Sequence, residues 1–188
     1  MPLPQQLPQL KREELLNLIR KRIGEGYLLP EFAIIGIRGY YKRTMGNPAR
    51  NDRAIYDDAI FLVTDTEFHG FNANCDPSRY KKGIASLKPG VWPCYKFDIH
   101  GGKVDQYPAI CQRKGKVTIV RDEVGEDTGM FGINIHRGGN IGTSSEGCQT
   151  VPPSQWTRFY STAERLAKNV YGNGFKTETI TYILLESE

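Results

Sequence analysis

Short runs of β-branched and aromatic residues, each bounded by Gly, Pro, Asn or Asp, constrain the fold of this chain more than any other feature of its sequence. The clearest are EFAIIGIRGYY from residue 31, AIYDDAIFLVTD from residue 54 and GKVTIVRD from residue 115. Runs of this kind are typical of strands. The apolar run over 59–63 predicts a buried strand, and the alternation in KVTIVR predicts a half-buried one. Strands should therefore dominate, without the regular βαβ alternation of a doubly wound sheet.

Two segments have helical spacing instead. KREELLNLIRKRI places Leu15, Leu16, Ile19 and Ile23 on one side, opposite Lys and Arg, and Gly24 should end this amphipathic helix. PPSQWTRFYSTAERLAKNVYG predicts a second helix. Its expected N-cap is Ser154, and its expected buried side chains are Trp156, Phe159, Tyr160 and Leu166. TETITYILLE should close the chain as a strand, which makes the expected fold class α+β and rich in β-structure.

The chain of 188 residues is long enough for one well-filled domain. Residues 1–9 carry three prolines and should form a loose arm, so residues 1–30 are expected to be an arm plus a basic helix. Residues 31–188 are expected to form a single domain. Residues 1–50 hold nine Lys or Arg and four Asp or Glu, which could attract an anionic polymer but is more typical of a solvated face. No run interleaves aromatic and basic residues, and no nucleic-acid partner is predicted.

The sequence predicts neither an export signal nor a membrane span. MPLPQQLPQL lacks the charged start and apolar core of a secretory signal, so synthesis in the cytoplasm is expected. No stretch approaches the roughly 18 apolar residues that a membrane span needs. The four cysteines are scattered without CxxC spacing, and Cys75, Cys94 and Cys111 are expected to be structural thiols.

Cys148 has unusual neighbours for a structural cysteine. It lies in INIHRGGNIGTSSEGCQT, between a glycine and a polar run, whereas a buried structural cysteine usually lies among aliphatic residues. A free thiol with a pKa of about 8.5 is mostly protonated at neutral pH and needs a nearby base. The alternation of Ile133 and Ile135 predicts a strand that brings His136 to the start of a glycine-rich loop. Gly147 would let this loop turn tightly, so that backbone N–H groups could converge on a developing oxyanion. The pattern indicates covalent acyl transfer.

IHRGG followed by SSEGCQTV resembles the signature of L,D-transpeptidase (YkuD-type) catalytic domains, in a variant form found in phage-encoded proteins. The resemblance is sharp over 133–151 and extends by strand and loop order over roughly 60–151. It implies that Cys148 is the nucleophile and His136 the base. It also implies that Arg137 orients the imidazole through its backbone carbonyl, and that Ser145 and Gly147 shape the oxyanion loop.

The resemblance further implies a β-rich L,D-transpeptidase-like catalytic domain, with the amphipathic helix before it and a second helix after the catalytic cysteine. Its expected activity is acyl transfer or hydrolysis on peptidoglycan stem peptides through a Cys148 thioester, at the bacterial cell wall or periplasm and without a cofactor. Two departures matter. Glu146 stands where the family has a histidine, and the loop from His136 to Cys148 is shorter than usual. A carboxylate beside the thiol should raise the thiol pKa unless Glu146 points away or pairs with a cation such as Arg137.

Other residues are weaker candidates. The expected substrate-binding residues are Trp92, His100, Tyr107, Arg113, Gly138 and Gly139. His100 could line the substrate groove or be solvated at a hairpin tip. An acidic cluster of Asp122, Glu123, Glu126 and Asp127 could recognise a cationic side chain or be solvated. A metal site of His69, His100 and Cys148 matches no zinc spacing, and no metal is predicted.

Two other functions stay open. The chain could be a noncatalytic module that binds the cell wall or a partner protein, for which Glu146 and the basic N-terminal segment are the best support. It could also be a cysteine peptidase or amidase that acts on ordinary protein. Neither the choice between transpeptidase and hydrolase nor the oligomeric state follows from the sequence.

Overall fold

The computed structural model describes residues 3–48, 51–102 and 105–187. These residues form an α+β fold that is rich in β-structure. The helices are α1 (Arg12–Ile23), α2 (Pro153–Tyr171) and a 3₁₀ helix (Gly172–Thr177). The strands are β1 (Phe32–Arg38), β2 (Asp58–Thr64), β3 (Phe68–Ala73), β4 (Ala85–Leu87), β5 (Gly90–His100), β6 (Tyr107–Gln112), β7 (Val117–Arg121), β8 (Gly125–Gly129), β9 (Ile135–Arg137), β10 (Gln149–Val151) and β11 (Ile180–Glu186).

Eight strands form one mixed sheet that is nearly closed on itself, in the order β10-β9-β6-β5-β11-β1-β2-β3. The two outer strands meet through Asn74, which directly follows β3, and Thr150 in the middle of β10. The N–H group of each residue donates to the carbonyl oxygen of the other, at 2.8 Å in both directions. This bridge brings the strand that follows Cys148 against the opposite edge of the sheet.

Strands β1, β2 and β11 lie in the middle of the sheet and are buried on both faces. Leu15 and Ile19 of α1 pack on one face, against Ile35 of β1 and its neighbours. The other face, which carries Ile34, packs into the main core together with α2. Burial on both faces explains why these strands read as continuous apolar runs rather than as alternating ones. The predicted strands and the first predicted helix are confirmed here.

Helix α2 packs its Trp156, Phe159 and Leu166 side chains into the main core, and this predicted helix is also confirmed. The prediction of Ser154 as its N-cap is wrong. Pro152 occupies the N-cap and Pro153 begins the helix, so Ser154 lies inside the first turn. Proline suits this first helical position because its missing N–H group would have no partner there and its φ is already helical.

A second, three-stranded sheet has the order β4-β7-β8. Strand β4 begins at Ala85, beside the loop that carries Cys148, and β7 alternates buried and more exposed residues as predicted. In the described ranges, neither α-helix is long and apolar enough to cross a membrane.

Candidate active site

Strands β9 and β10 bring His136 and the segment around Cys148 together. The two strands pair in parallel with Thr150 opposite His136, and the pairing extends backwards through a 2.8 Å hydrogen bond from the Gln149 N–H group to the Asn134 carbonyl. Cys148 therefore lies just before β10, beside the residues that lead into β9. The Asn134 N–H group donates to Cys148 Sγ at 3.3 Å, and the thiol donates to the Gly132 carbonyl at 3.5 Å.

The imidazole of His136 is buried and held by its own backbone neighbour. Its Nδ1 lies 2.8 Å from the carbonyl oxygen of Arg137, which is the contact that the sequence predicted. A carbonyl oxygen only accepts hydrogen bonds, so Nδ1 carries the proton and Nε2 has the free lone pair. The hydroxyl of Tyr107 lies 3.1 Å from Nδ1 and donates to the same carbonyl at 3.3 Å. The guanidinium of Arg137 lies over the Tyr107 ring, 5.0 Å from its centroid.

Burial lowers the pKa of His136 to about 4, and electrostatic repulsion from His100 acts in the same direction. The hydrogen bond to the Arg137 carbonyl opposes this shift, because it favours a protonated ring. The imidazole is therefore neutral at physiological pH, with Nε2 able to accept a proton. This is the state that a general base requires.

His100 is the last residue of β5, and its ring stacks on the ring of His136. Its Nδ1 lies 3.0 Å from Nδ2 of Asn134. Asn134 Oδ1 accepts the Gln112 N–H group at 3.0 Å, and this bond fixes the orientation of the amide. Asn134 Nδ2 is then the donor and His100 Nδ1 the acceptor, so a neutral His100 carries its proton on Nε2. Burial lowers the pKa of His100, and the positive charge of Arg113 lowers it further.

The thiol of Cys148 is protonated at neutral pH. Burial raises its pKa to about 11, the Asn134 N–H group opposes the shift, and the carboxylate of Glu146 adds to it. Within the described part of the chain, no hydrogen bond joins this thiol to the His136 ring. The resting pair consists of a neutral thiol and a neutral imidazole rather than a thiolate–imidazolium ion pair. A thiol in this state would attack a carbonyl group only with transfer of its proton to a base.

Ser145 shapes the turn that presents Cys148. Its Oγ accepts the Gly147 N–H group at 3.0 Å and donates to the Cys148 carbonyl at 2.7 Å. The backbone of Ser145 is fixed by Ser78, whose N–H group donates to the Ser145 carbonyl at 2.7 Å and whose Oγ accepts the Ser145 N–H group at 2.7 Å. Because the Gly147 N–H group is bonded to Ser145, the donor left for an oxyanion in this turn is the Cys148 N–H group, which has no partner among the described residues.

The glycines of the loop are required by close approaches. Gly147 has a φ of +133°, and a Cβ there would lie 2.6 Å from the Ala85 carbonyl oxygen. A Cβ on Gly138 would overlap the hydroxyl of Tyr56, which donates to the Gly139 carbonyl at 2.9 Å. The two glycines that were expected to bind substrate thus lie where the loop packs on Tyr56.

Glu146 pairs with a cation of this chain and still raises the pKa of the Cys148 thiol. Its carboxylate pairs with Arg79 at 2.9 Å, and both side chains are largely exposed. The expectation that Glu146 would either point away or pair with a cation agrees with this geometry, but the cation is Arg79 and not Arg137. Three of the four carboxylates of the acidic cluster are similarly occupied by cations of this chain. Asp122 is bonded to Arg53, Glu126 to Lys88 and Asp127 to Arg121.

Cys148 opens into a groove of about 440 Å³. The groove is lined by Lys81, Lys82, Gly83, Ile84, Ala85, Arg121, Phe131, Gly132, Ile133, Glu146 and Cys148. The predicted substrate-binding residues lie elsewhere. Tyr107 and His100 contact His136, and Arg113 is bonded to Asp98 beside the carbonyl of Ile99. Trp92 lies opposite Tyr182 near the start of β5, the strand whose last residue is His100.

Sequence reasoning missed two residues that organise the site. Gln112 is buried, and its Oε1 accepts the N–H groups of Phe131, Gly132 and Ile133 at 2.9–3.2 Å, which fixes the carbonyl that faces the thiol. Asn134 connects Gln112, His100 and Cys148. The alternation in INIH already put Asn134 on the same side of the chain as His136, and a polar residue at that position was a usable signal.

Among the described residues, no group of three or more His, Cys, Asp or Glu side chains could hold a metal ion. Comparison of the chain with protein-family models, with curated proteins and with solved structures finds no match. The candidate chemistry therefore depends on the geometry of Cys148, His136 and their neighbours.

Proposed function

We propose that this protein is a cysteine-dependent acyltransferase or hydrolase that acts on peptidoglycan stem peptides. The observation that carries the proposal is the hydrogen bond from His136 Nδ1 to the Arg137 carbonyl, because it leaves Nε2 free to act as a base. His136 lies on β9, and the thiol that lines the groove lies just before the neighbouring strand β10. The similarity of IHRGG and SSEGCQTV to the L,D-transpeptidase signature supports the choice of substrate. An L,D-transpeptidase-like fold and a place of action at the bacterial cell wall or periplasm belong to the same proposal.

The proposed first half-reaction forms a thioester. Nε2 of His136 takes the proton of the Cys148 thiol while Sγ bonds to the carbonyl carbon of a stem-peptide residue, and the Cys148 N–H group donates to the developing oxyanion. The C–N bond to a D-amino acid then breaks, and the imidazolium returns the proton to the leaving amine. Because the resting thiol bonds to Gly132 and not to His136, substrate binding must turn the thiol towards the imidazole.

The second half-reaction resolves the thioester. An amine acceptor would form a new peptide bond and make the protein a transpeptidase, whereas water would release the acid and make it an L,D-carboxypeptidase or endopeptidase. In either case His136 removes a proton from the incoming nucleophile and returns it to the departing thiolate. In a phage-lysis or effector setting, hydrolysis would be favoured.

Mass spectrometry of muropeptides, after purified sacculi are incubated with the protein, tests the proposal. The wild-type protein should change at least one stem-peptide bond, and Cys148→Ala and His136→Gln should abolish the change. Cys111→Ala, which removes a buried thiol outside the groove, is the matched control and should keep the activity. Stem-peptide products released equally by Cys148→Ala would contradict the proposal. Incubation in ¹⁸O-water separates hydrolysis from transfer.

A noncatalytic module that binds the cell wall or a partner is the second candidate. It is favoured by the raised pKa of the Cys148 thiol and by its bond to the Gly132 carbonyl instead of to the imidazole. Co-sedimentation with sacculi separates the candidates. The module requires that wild-type and Cys148→Ala proteins bind equally while the muropeptide profile stays unchanged.

A further inference from the structure

We propose that the groove beside Cys148 binds an anionic group of the acyl donor, held by Lys81 and Lys82. The inference rests on the proposed function and adds a substrate class to it, namely acyl donors that carry a carboxylate close to the scissile carbonyl. The residues that line the groove include both apolar and basic side chains, which is the composition expected of a site for an amphiphilic anion.

The charges that line the groove do not cancel. Glu146 is paired with Arg79 at 2.9 Å, and Arg121 is paired with Asp127 at 3.2 Å. The ammonium groups of Lys81 and Lys82 have no ion pair within 4 Å among the described residues, although both lysines line the groove.

The carboxylate of Asp122, which bonds to the backbone of Lys81, is also occupied. Asp122 accepts two hydrogen bonds from the guanidinium of Arg53, and it also accepts the backbone N–H group of Lys81 at 3.4 Å. It is therefore already neutralised by a cation. The residues that line the groove, with their ion-pair partners, therefore have an excess of two positive charges, which attract an anion and repel a cation.

The backbone that carries the two lysines is fixed. The Gly83 N–H group donates to the Asp122 carbonyl, and the Ile84 N–H group donates to the Lys81 carbonyl, both at 2.9 Å. Gly83 has a φ of +81°, which a glycine adopts without strain and which closes this turn beside β4. The lysines thus project from a defined turn rather than from a loose loop, and their separation from the thiol is set by the fold.

The lining of the groove also has an apolar part. Ile84 and Ile133 are buried, and Phe131 is partly buried beneath the guanidinium of Arg121, which lies 5.2 Å from the ring centroid. An acyl donor could place a hydrocarbon segment on these side chains while its carboxylate faces Lys81 and Lys82. A donor with an ammonium group at the same place would be disfavoured.

Alkylation of Cys148 by iodoacetate and by iodoacetamide tests the inference, because the two reagents are similar in size and differ in charge. The rate constants are measured by peptide mass spectrometry at low ionic strength and expressed relative to those of N-acetylcysteine amide. The normalised preference for iodoacetate should exceed one. It should fall by on the order of fivefold in the Lys81→Gln/Lys82→Gln variant, because that variant removes both unpaired positive charges from the groove lining. About 1 M salt should remove the preference, since the Debye length is then only about 3 Å.

Lys114→Gln/Lys116→Gln removes two exposed lysines that do not line the groove, and it should leave the preference unchanged. A wild-type preference of one that the Lys81→Gln/Lys82→Gln variant does not alter would overturn the anionic subsite while leaving Cys148 a nucleophile. Failure of both reagents to modify Cys148 in the folded protein, together with a muropeptide profile that the wild-type protein leaves unchanged, would instead remove the nucleophile and with it both proposals. The two failures are thus distinguishable.

Discussion

The rings of His100 and His136 lie nearly parallel, with their centroids 4.0 Å apart and an angle of 11° between their planes. Two imidazolium rings at this distance would repel each other strongly, so the stack disfavours a state in which both rings are charged. Asn134 favours a neutral His100, because its amide donates to Nδ1 of His100 and would have to give up that bond if Nδ1 were protonated. Burial therefore keeps the candidate base in its proton-accepting form, and a proton on the stacked His100 would favour that form further.

Replacing Asn134 with Asp should raise the pKa of His100. A carboxylate would then face Nδ1 where an amide donor now lies, and an opposite charge at that distance favours the protonated ring by about one pKa unit or more. The shift is measured by NMR titration of the His100 ring protons. Asn169→Asp, on the exposed side of α2, is the control and should leave the titration unchanged. A His100 titration that is identical in the Asn134→Asp and wild-type proteins would contradict this assignment of the hydrogen bond.

Neutral His136 should stabilise the fold in a pH-dependent way. Its pKa is lowered to about 4 in the folded protein, so its contribution is complete above the unfolded value of about 6.5 and is lost as the pH falls towards 4. Between pH 7.5 and 4.5 this loss should be about 2–3 kcal/mol of unfolding free energy, measured by urea denaturation. In His136→Gln the same interval should show a correspondingly smaller loss. Equal slopes in the two proteins would show that His136 titrates normally.

Gly147→Ala should destabilise the protein by more than about 2 kcal/mol and displace the Cys148 turn. The added Cβ would meet the Ala85 carbonyl at 2.6 Å, in a backbone conformation with a φ of +133°. Gly142→Ala is a matched control in the same loop, since a Cβ added there would have no atom within 4 Å and the φ of Gly142 is ordinary. Thermal unfolding of both variants checks the prediction, and comparable melting temperatures for the two would contradict it.

Gln112→Met should destabilise the fold and change the environment of the thiol. The substitution leaves the N–H groups of Phe131, Gly132 and Ile133 without their common acceptor, at a cost of about 1–3 kcal/mol for each buried group that finds no water. Gln106→Met, at an exposed position, is the control. Urea denaturation measures the unfolding free energy. The rate at which iodoacetamide modifies Cys148 reports whether the Gly132 carbonyl, which accepts a hydrogen bond from the thiol, has shifted. An unaltered rate in a destabilised Gln112→Met protein would separate this glutamine from the site.

The unfolding free energy of the Asp57→Asn variant should increase relative to that of the wild type as the pH rises. Burial raises the pKa of Asp57 to about 7, nearby carboxylates add to the shift, and its buried Oδ1 has no partner among the described residues. Protonated Asp57 contributes fully to the unfolding free energy below the pKa that this residue has in the unfolded chain. The contribution is lost as the pH rises through 7. From pH 5 to 8.5 the variant should gain on the order of 2 kcal/mol in unfolding free energy over the wild type. Asp65→Asn, at an exposed carboxylate, should show no such trend in the same urea titrations.

The sequence predicted the elements whose pattern is decided locally. The apolar run around Phe61 became β2, and the helical spacing of Leu15 and Ile19 became α1, because each pattern fits one secondary structure and one buried face. The contact between His136 and the Arg137 carbonyl was implied by the resemblance to the L,D-transpeptidase signature, and it joins neighbouring residues. Ser154 was misplaced because two prolines compete for the same helix start.

The remaining contacts of the site join residues that are far apart in the chain. His100 reaches Asn134 only because β5 and β6 pair and β6 then meets β9. Glu146 forms its ion pair with Arg79, which lies in the turn that follows Asn74. No spacing of residues in the sequence indicates that these two side chains meet. Tertiary pairing of this kind sets the thiol pKa and the charge of the groove, so neither could be read from the motif alone.

The bridge between Asn74 and Thr150 limits how a peptide can approach the thiol. Strand β10 has only three residues, and the backbone groups of Thr150 that face away from β9 are already bonded to Asn74. A peptide therefore cannot join the sheet by strand addition next to Cys148, as it does where a sheet edge is open. A peptide substrate of the proposed reaction would instead cross the strand end and offer its carbonyl from the groove. Selection then depends on side chains and terminal groups rather than on the main-chain register of the incoming peptide.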